Sequence, residues 1–242
     1  MKPILHPIIA LMSFLGGLAA NEPHVHTFSI VAHDPATGEL GVAVQSRYFG
    51  VGSVVPWAKA GVGAVATQAY AKLSYGPDGL AQMEAGKSPE EAIAHVTGAD
   101  KKREIRQVGM VDAQGRVAAF TGKECIEWAG HRTGEGYAVQ GNLLVGKAVV
   151  DAMAETFEEK HKQPGTELAD WLVAALEAGQ AAGGDRRGEQ SAALLVVREG
   201  GGPGGENDRF LDLRVEDHSK PITELARLLE LHKKFHSRGH RK

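Results

Sequence analysis

From residue 27 to 68 short apolar runs alternate with turn residues, and two hairpins follow from the pattern. Residues 27–32 predict a strand that breaks at Asp34-Pro35-Ala36-Thr37-Gly38, and residues 40–44 predict the strand that returns. Proline presets φ and glycine permits positive φ at the exit, so this break has a mechanism. A second hairpin is expected from strand 52–55, through a turn at 56–60, into strand 61–67. These runs are nearly continuous and made of small residues, as in a sheet covered on both faces. Thr27, Ser29, Gln45, Ser46, Arg47, Thr67 and Gln68 gather where the strands end. Such a rim is a candidate site.

Beyond residue 75 the period changes. A helix is expected over 77–85. A second opens at Ser88, with Pro89 at its first position and Glu90 and Glu91 in its first turn. Residues 107–111 and 117–120 flank Asp112-Ala113-Gln114-Gly115 as a hairpin, 124–128 adds a short strand, and 137–142 is a strand ending in a polar turn. Helical spacing returns over 146–160 and 166–181, with Met153, Phe157, Trp171 and Leu172 as core positions. Strands 190–198 and 210–215 enclose the glycine-rich loop 200–205. That loop lacks the Lys and Ser/Thr of a phosphate loop, which argues against nucleotide binding. A last helix starts near Pro221. The pattern alone supports a generic mixed α/β domain.

Composition narrows the function classes. The 242 residues suffice for one domain, and a net charge of −3 argues against a nucleic-acid partner. The single cysteine, Cys125, excludes an internal disulfide framework and any multi-cysteine metal site. Lys2, the apolar stretch 8–18 and the small residues Gly17-Leu18-Ala19-Ala20 form a secretory signal pattern, too short to span a bilayer comfortably. The expected organisation is a signal peptide at 1–20, a short leader at 21–26, one domain at 27–231, and a basic His-rich tail at 232–242. Export to a periplasm or the cell exterior is expected, with no membrane association once the leader is removed. His232, His236 and His240 recur every four residues, but the basic residues around them read as a solvated tail. No metal or cofactor is expected.

The stretch 27–68, with Trp128-Ala129-Gly130-His131, Gln140-Gly141-Asn142, residues 185–193 and Pro221-Ile222, resembles the family called domain of unknown function 1028. The resemblance implies a fold like that of the N-terminal-nucleophile (Ntn) hydrolases. That is an α+β, four-layer α/β/β/α sandwich of two stacked, mainly antiparallel sheets. In such enzymes the first residue of the mature chain supplies the nucleophile, and its own α-amine is the base. The amine suits this task because its unperturbed pKa is about 7.7–8.0. Thr27 is the candidate nucleophile, because relatives without a leader often begin at the equivalent point. Here residues 21–26 precede Thr27, so a cut at the His26–Thr27 bond is needed to free its amine.

Other roles follow from position. Gln68 and Asn142 are candidate oxyanion or amide binders at strand ends. Ser46 is a candidate substrate donor, Arg47 a candidate carboxylate clamp, and Arg187, oriented by Asp185, a clamp for an anionic substrate. Thr27, Ser46, Gln68 and the 185–187 loop are expected to border one concave pocket. His131 reads as a structural hydrogen-bonder and Cys125 as a buried hydrophobe. The leading reading is an exported Ntn-type amidohydrolase acting on a small-molecule or peptide-like amide. The alternative is a catalytically silent secreted domain that binds a peptide or cell-wall fragment. A homo-oligomeric structural module is the third class.

Overall fold

The computed structural model describes residues 24–239, with side chains through Phe235. The expected signal peptide therefore lies outside the described residues, as do the side chains of His236 and His240. In chain order the elements are β1 (His24–Val25), β2 (Thr27–His33), β3 (Leu40–Ser46), β4 (Pro56–Lys59), β5 (Gly63–Tyr70), α1 (Tyr75–Glu84) and α2 (Pro89–Gly98). Then come β6 (Arg106–Asp112), β7 (Val117–Thr121), β8 (Gly130–Gly134), β9 (Tyr137–Gly141), α3 (Ala148–Lys160), α4 (Leu168–Ala181), β10 (Ser191–Val197), β11 (Arg209–Val215) and α5 (Pro221–Gly239).

Local chemistry accounts for the sharpest boundaries. Asp34 caps the β2–β3 turn, accepting from Ala36 N at 2.9 Å and from Thr37 Oγ1 at 2.7 Å. Gly38 leaves that turn at φ +74°. A capping box opens α2: Glu91 N donates to Ser88 Oγ at 3.2 Å, and Ser88 N to Glu91 Oε2 at 2.8 Å.

Two antiparallel sheets stack face to face. One runs β11-β10-β3-β2-β9-β8. The other runs β1-β5-β6-β7, with β4 also pairing β5. Three apolar clusters cement the layers. Phe28, Ile30, Ala43 and Leu194 pack under Met153, Trp171, Leu172 and Leu225 of α3, α4 and α5. Val31, Val42, Val44, Ala64, Ala66 and Val111 fill the space between the sheets. Val65, Val108 and Met110 meet Met83, Ile93 and Val96 of α1 and α2. This is the expected α/β/β/α sandwich. Each buried Val, Leu or Ile contributes about 1.5–3 kcal/mol relative to exposure. α4 lies so close to β3 that a Cβ at Gly41 would sit 2.6 Å from Leu172 Cδ1. No helix among the described residues is long and apolar enough to cross a membrane.

Four expectations change. The second hairpin turns after Lys59, since 51–53 is a 3₁₀ turn and Pro56–Lys59 is itself a strand. Pro56 opens an edge strand, where its missing N–H is harmless. The short strand expected at 124–128 is displaced to Gly130–Gly134. Finally, the described part of the leader, residues 24–26, is not separate from the domain. His24 pairs with Tyr70 and Val25 with Ala69 as a short strand, and Val25 is fully buried. At the other end α5 continues through Gly239, so residues 232–239 extend a helix.

Candidate functional site

Between the sheets the filling is apolar at one end and polar at the other. Thr27 and Ser46 form the last register pair of β2 and β3 and sit at the polar end, both fully buried. The alternation that turns Val31, Val42 and Val44 toward the facing sheet turns Thr27, Ser29 and Ser46 the same way. β5 contributes Gln68, β6 Gln107 and β9 Gln140, and Asn142 follows β9. All four are fully buried.

These amides form one connected network. Ser29 Oγ donates to Gln68 Oε1 at 2.6 Å and accepts from Gln140 Nε2 at 2.7 Å. Gln68 Nε2 donates to Gln107 Oε1 at 2.8 Å and to the Thr27 carbonyl at 3.3 Å. Asn142 Nδ2 also donates to Gln107 Oε1, at 2.9 Å. Gln107 Nε2 is shared among Thr121 Oγ1 and the carbonyls of Gly130 and Gly141, at 2.8–3.0 Å. The sheets meet closely here: a Cβ at Gly109 would lie 2.1 Å from Gln140 Oε1, so any side chain there would displace the Gln140 amide. Sequence reasoning misses Gln107. Its signal is a glutamine at the second position of β6, opposite Gln68 and ahead of an apolar run.

The network and its neighbours hold the two peptide bonds that flank Thr27. Asn142 N donates to the Thr27 carbonyl at 3.0 Å. The preceding carbonyl, that of His26, accepts from Ser46 Oγ at 2.6 Å and from Arg187 Nη2 at 2.7 Å. Thr27 Oγ1 donates back to the Val25 carbonyl at 2.9 Å. Arg187 is aimed by Asp185, which takes its Nε at 3.0 Å and its Nη2 at 2.6 Å, the paired geometry of a guanidinium–carboxylate fork. The Asp185 side chain is fully buried and also accepts from Arg187 N at 2.8 Å.

Thr27, Ser46, Gln68, Asn142, Asp185 and Arg187 therefore meet around the two peptide bonds that flank Thr27. Two of the expected roles shift. The amide donors of Gln68 and Asn142 point to Gln107 and Thr27, so Ser46 and Arg187 are the groups that hold the His26 carbonyl. Arg47 lies outside this group. It is exposed, and its Nη1 donates to the Arg187 carbonyl at 2.6 Å, which pins the loop behind the site. The cavity that Arg47 lines, of about 240 Å³, is shared with Glu189, Gln190, Asp217 and His218, while residues 24–26 lie against Thr27, Ser46 and Arg187. Cavities of about 940 and 480 Å³ are elsewhere, the larger lined by the 200–205 loop, Phe210 and His232, the smaller by His33, Tyr137 and His161.

Backbone and electrostatics are unusual at this end. Among the described residues, Ala69 (φ +67°) and Leu143 (φ +55°) are the non-glycine residues in the left-handed region. Each directly follows a network amide, Gln68 or Asn142. Strain of this kind costs about 1–2 kcal/mol per residue and persists where surrounding contacts over-determine it. His26 Nδ1 bonds Asn142 Oδ1 at 2.8 Å. Burial pushes the His26 imidazole below its ordinary value, against the opposing effect of that bond, so the ring is neutral at pH 7. Burial pushes the Cys125 thiol up to about 11. With its Sγ donating to the Arg106 carbonyl at 3.3 Å, it is protonated and unreactive near neutral pH. His131 bonds Thr121 Oγ1 at 2.9 Å, away from Thr27.

A family model described as a family of unknown function, DUF1028, matches residues 27–225. The chain belongs to the DUF1028 family. The span that defines the family in this DUF1028 chain starts at Thr27 and leaves β1 outside it. The crystal structure of protein SPO2555 from Silicibacter pomeroyi, also DUF1028, is similar at 34% identity over 85% of each chain, with a TM-score of 0.76. Fainter likenesses are to eukaryotic HslV from Trypanosoma brucei and to Anbu (ancestral beta-subunit) from Yersinia bercovieri. HslV is 8% identical with a TM-score of 0.41, covering 70% of the DUF1028 chain and 98% of HslV. Anbu is 11% identical with a TM-score of 0.37, covering 89% and 98%. No curated protein matches the DUF1028 chain.

Proposed function

We propose that this protein is an exported amidohydrolase of the N-terminal-nucleophile type, and that it cuts its own His26–Thr27 bond to become one. The observation that supports this reading is the doubly held His26 carbonyl, with Ser46 Oγ at 2.6 Å and Arg187 Nη2 at 2.7 Å. Two donors on one carbonyl oxygen, one of them cationic, stabilise the negative charge that develops when a nucleophile adds to that carbon.

In the self-cut, Thr27 Oγ adds to the His26 carbonyl carbon. The hydroxyl proton passes to the Thr27 nitrogen as the C–N bond breaks, leaving an ester between His26 and Thr27 Oγ. Water hydrolyses the ester, giving a carboxylate on His26 and restoring the Thr27 hydroxyl beside a free α-amine. In later turnovers that amine takes the Oγ proton, and Oγ attacks the substrate amide carbon. Ser46 and Arg187 hold the oxyanion, the ammonium protonates the leaving amine, and water releases the acyl group.

A second reading is favoured by the complete burial of Thr27. If the bond is never cut, the hydroxyl stays committed to Val25 and the protein is a secreted binding module. N-terminal sequencing and intact mass of protein recovered from the producing cell separate the two. A chain starting at Thr27 supports the hydrolase, and a chain retaining residues 24–26 after prolonged incubation overturns it.

A further inference from the structure

Residues 24–26 occupy the site as a substrate would. Their strand adds to the stretch of β5 that β4 leaves free: β4 pairs with residues 63–66, and β1 with Ala69 and Tyr70. Val25 is fully buried in the inter-sheet cluster. The His26 ring stands edge-on to Tyr70, with centroids 6.0 Å apart, and bonds Asn142 Oδ1 at 2.8 Å. The His24 ring lies against Tyr70 at 4.1 Å. The carbonyl at the scissile position rests on Ser46 and Arg187. Each feature is a recognition element: a sheet edge for the backbone, an apolar socket, a ring-sized polar socket, and a clamp for carbonyl or carboxylate.

We propose that this groove is the acyl-side binding site for peptides, and that its leader is a bound copy of the preferred sequence. The inference rests on the proposed hydrolase and names its substrate class. That class is an extended peptide with a planar hydrogen-bonding side chain, such as imidazole, on the residue donating the scissile carbonyl. A small branched aliphatic residue precedes it. The socket of Val25 is closed by the core, so a larger residue has no room there. Asn142 Oδ1 accepts a hydrogen bond and discriminates against an apolar side chain in the His26 socket, because it would then be buried without a donor. After cleavage the new His26 carboxylate faces Arg187 and Ser46, a charge-assisted pairing that also makes the released segment a product inhibitor.

The test uses the full chain carrying Thr27→Ala, which cannot turn over, with and without Val25→Asp, which places a carboxylate in the Val25 socket and expels the leader. The probe is acetyl-His-Val-His with a free carboxylate, titrated by calorimetry. Binding to the Val25→Asp protein should be at least about tenfold tighter than to the protein with its leader docked. It should weaken about tenfold for acetyl-His-Val-Leu and for the peptide amide, each lacking one buried polar contact. If Val25→Asp does not fold, Val25→Gly removes the isopropyl anchor without adding charge and takes its place. Equal binding with and without the leader, or indifference to the His→Leu change, overturns the proposal. Because Thr27→Ala lacks the nucleophile, binding is read apart from turnover. Peptide binding without self-cleavage would overturn the hydrolase and leave the groove standing, and self-cleavage without peptide binding would do the reverse.

Discussion

Arg187 donates from Nη2 to the carbonyl oxygen of His26 at 2.7 Å across 161 positions of sequence. The contact joins the loop before β10 to the peptide bond before β2, and Asp185 fixes its direction. Lysine at 187 keeps the charge but loses the planar fork that Asp185 grips. Arg187→Lys should therefore slow appearance of the Thr27 terminus about 100-fold, the scale of one lost oxyanion donor. Arg187→Ala should also lower the melting temperature, because it strands the buried Asp185 carboxylate. A mass-resolved time course and a thermal melt check both. Processing at the wild-type rate in Arg187→Lys would remove Arg187 from the site.

Thr27 supplies the second prediction. Thr27→Ala should abolish both self-cleavage and amide hydrolysis, and Thr27→Ser should keep part of each because a hydroxyl remains. The alanine variant loses one buried hydrogen bond to the Val25 carbonyl and two heavy atoms, a stability loss of about 1–2 kcal/mol. It should fold, which chemical denaturation will read directly. Turnover in Thr27→Ala would identify a different nucleophile.

Some of this was legible in the sequence. The Asp34–Gly38 turn and the Ser88–Glu91 cap carry their own chemistry, so β2, β3 and α2 fall where the pattern puts them. The rim was legible as well, since Thr27, Ser46 and Gln68 sit at or near the ends of β2, β3 and β5. The second hairpin was not: Pro56 looks like a turn residue unless one knows that β4 is an edge strand. The leader was not legible either. Only the unpaired end of β5, a product of the whole sheet, explains why Val25 is buried. The donors that hold the His26 carbonyl were equally hidden, because Gln107 draws the amides of Gln68 and Asn142 away from it.

Gln107 is accordingly the residue whose loss should be felt most widely. It accepts from two amides and donates within reach of three oxygens, all inside the sandwich. Gln107→Leu keeps the volume but leaves Gln68, Asn142 and the Gly141 carbonyl short of partners. Each buried unsatisfied group costs about 1–3 kcal/mol, so a loss of several kcal/mol is expected. Urea titration at pH 7 measures it. A loss below about 1 kcal/mol, within the range of a single ordinary hydrogen bond, would mean that the network is not a unit.

The His26 imidazole gives the protein a pH dependence of definite sign. Burial lowers its folded-state pKa from 6.5; the Asn142 bond and Asp185 raise it, while Arg187 and His24 lower it further, leaving a net depression. Above pH 6.5 the folded and unfolded chains both carry a neutral ring, and the contribution to stability is complete. As pH falls below 6.5 the unfolded chain takes up a proton that the folded chain does not. Stability then declines, by at most about 1.4 kcal/mol per pH unit for one proton. The decline ends once the pH has passed the folded-state value. His26→Gln cannot titrate yet keeps a donor for Asn142 Oδ1, so it should be less sensitive to acid than the wild type between pH 6.5 and that point. Other histidines, including half-buried His33, contribute equally to both proteins and cancel in the difference. Urea titrations of the pair at pH 5, 6, 7 and 8, on uncleaved Thr27→Ala backgrounds, give that difference directly. Parallel profiles would show that His26 is solvated in the folded protein and that the leader is not docked.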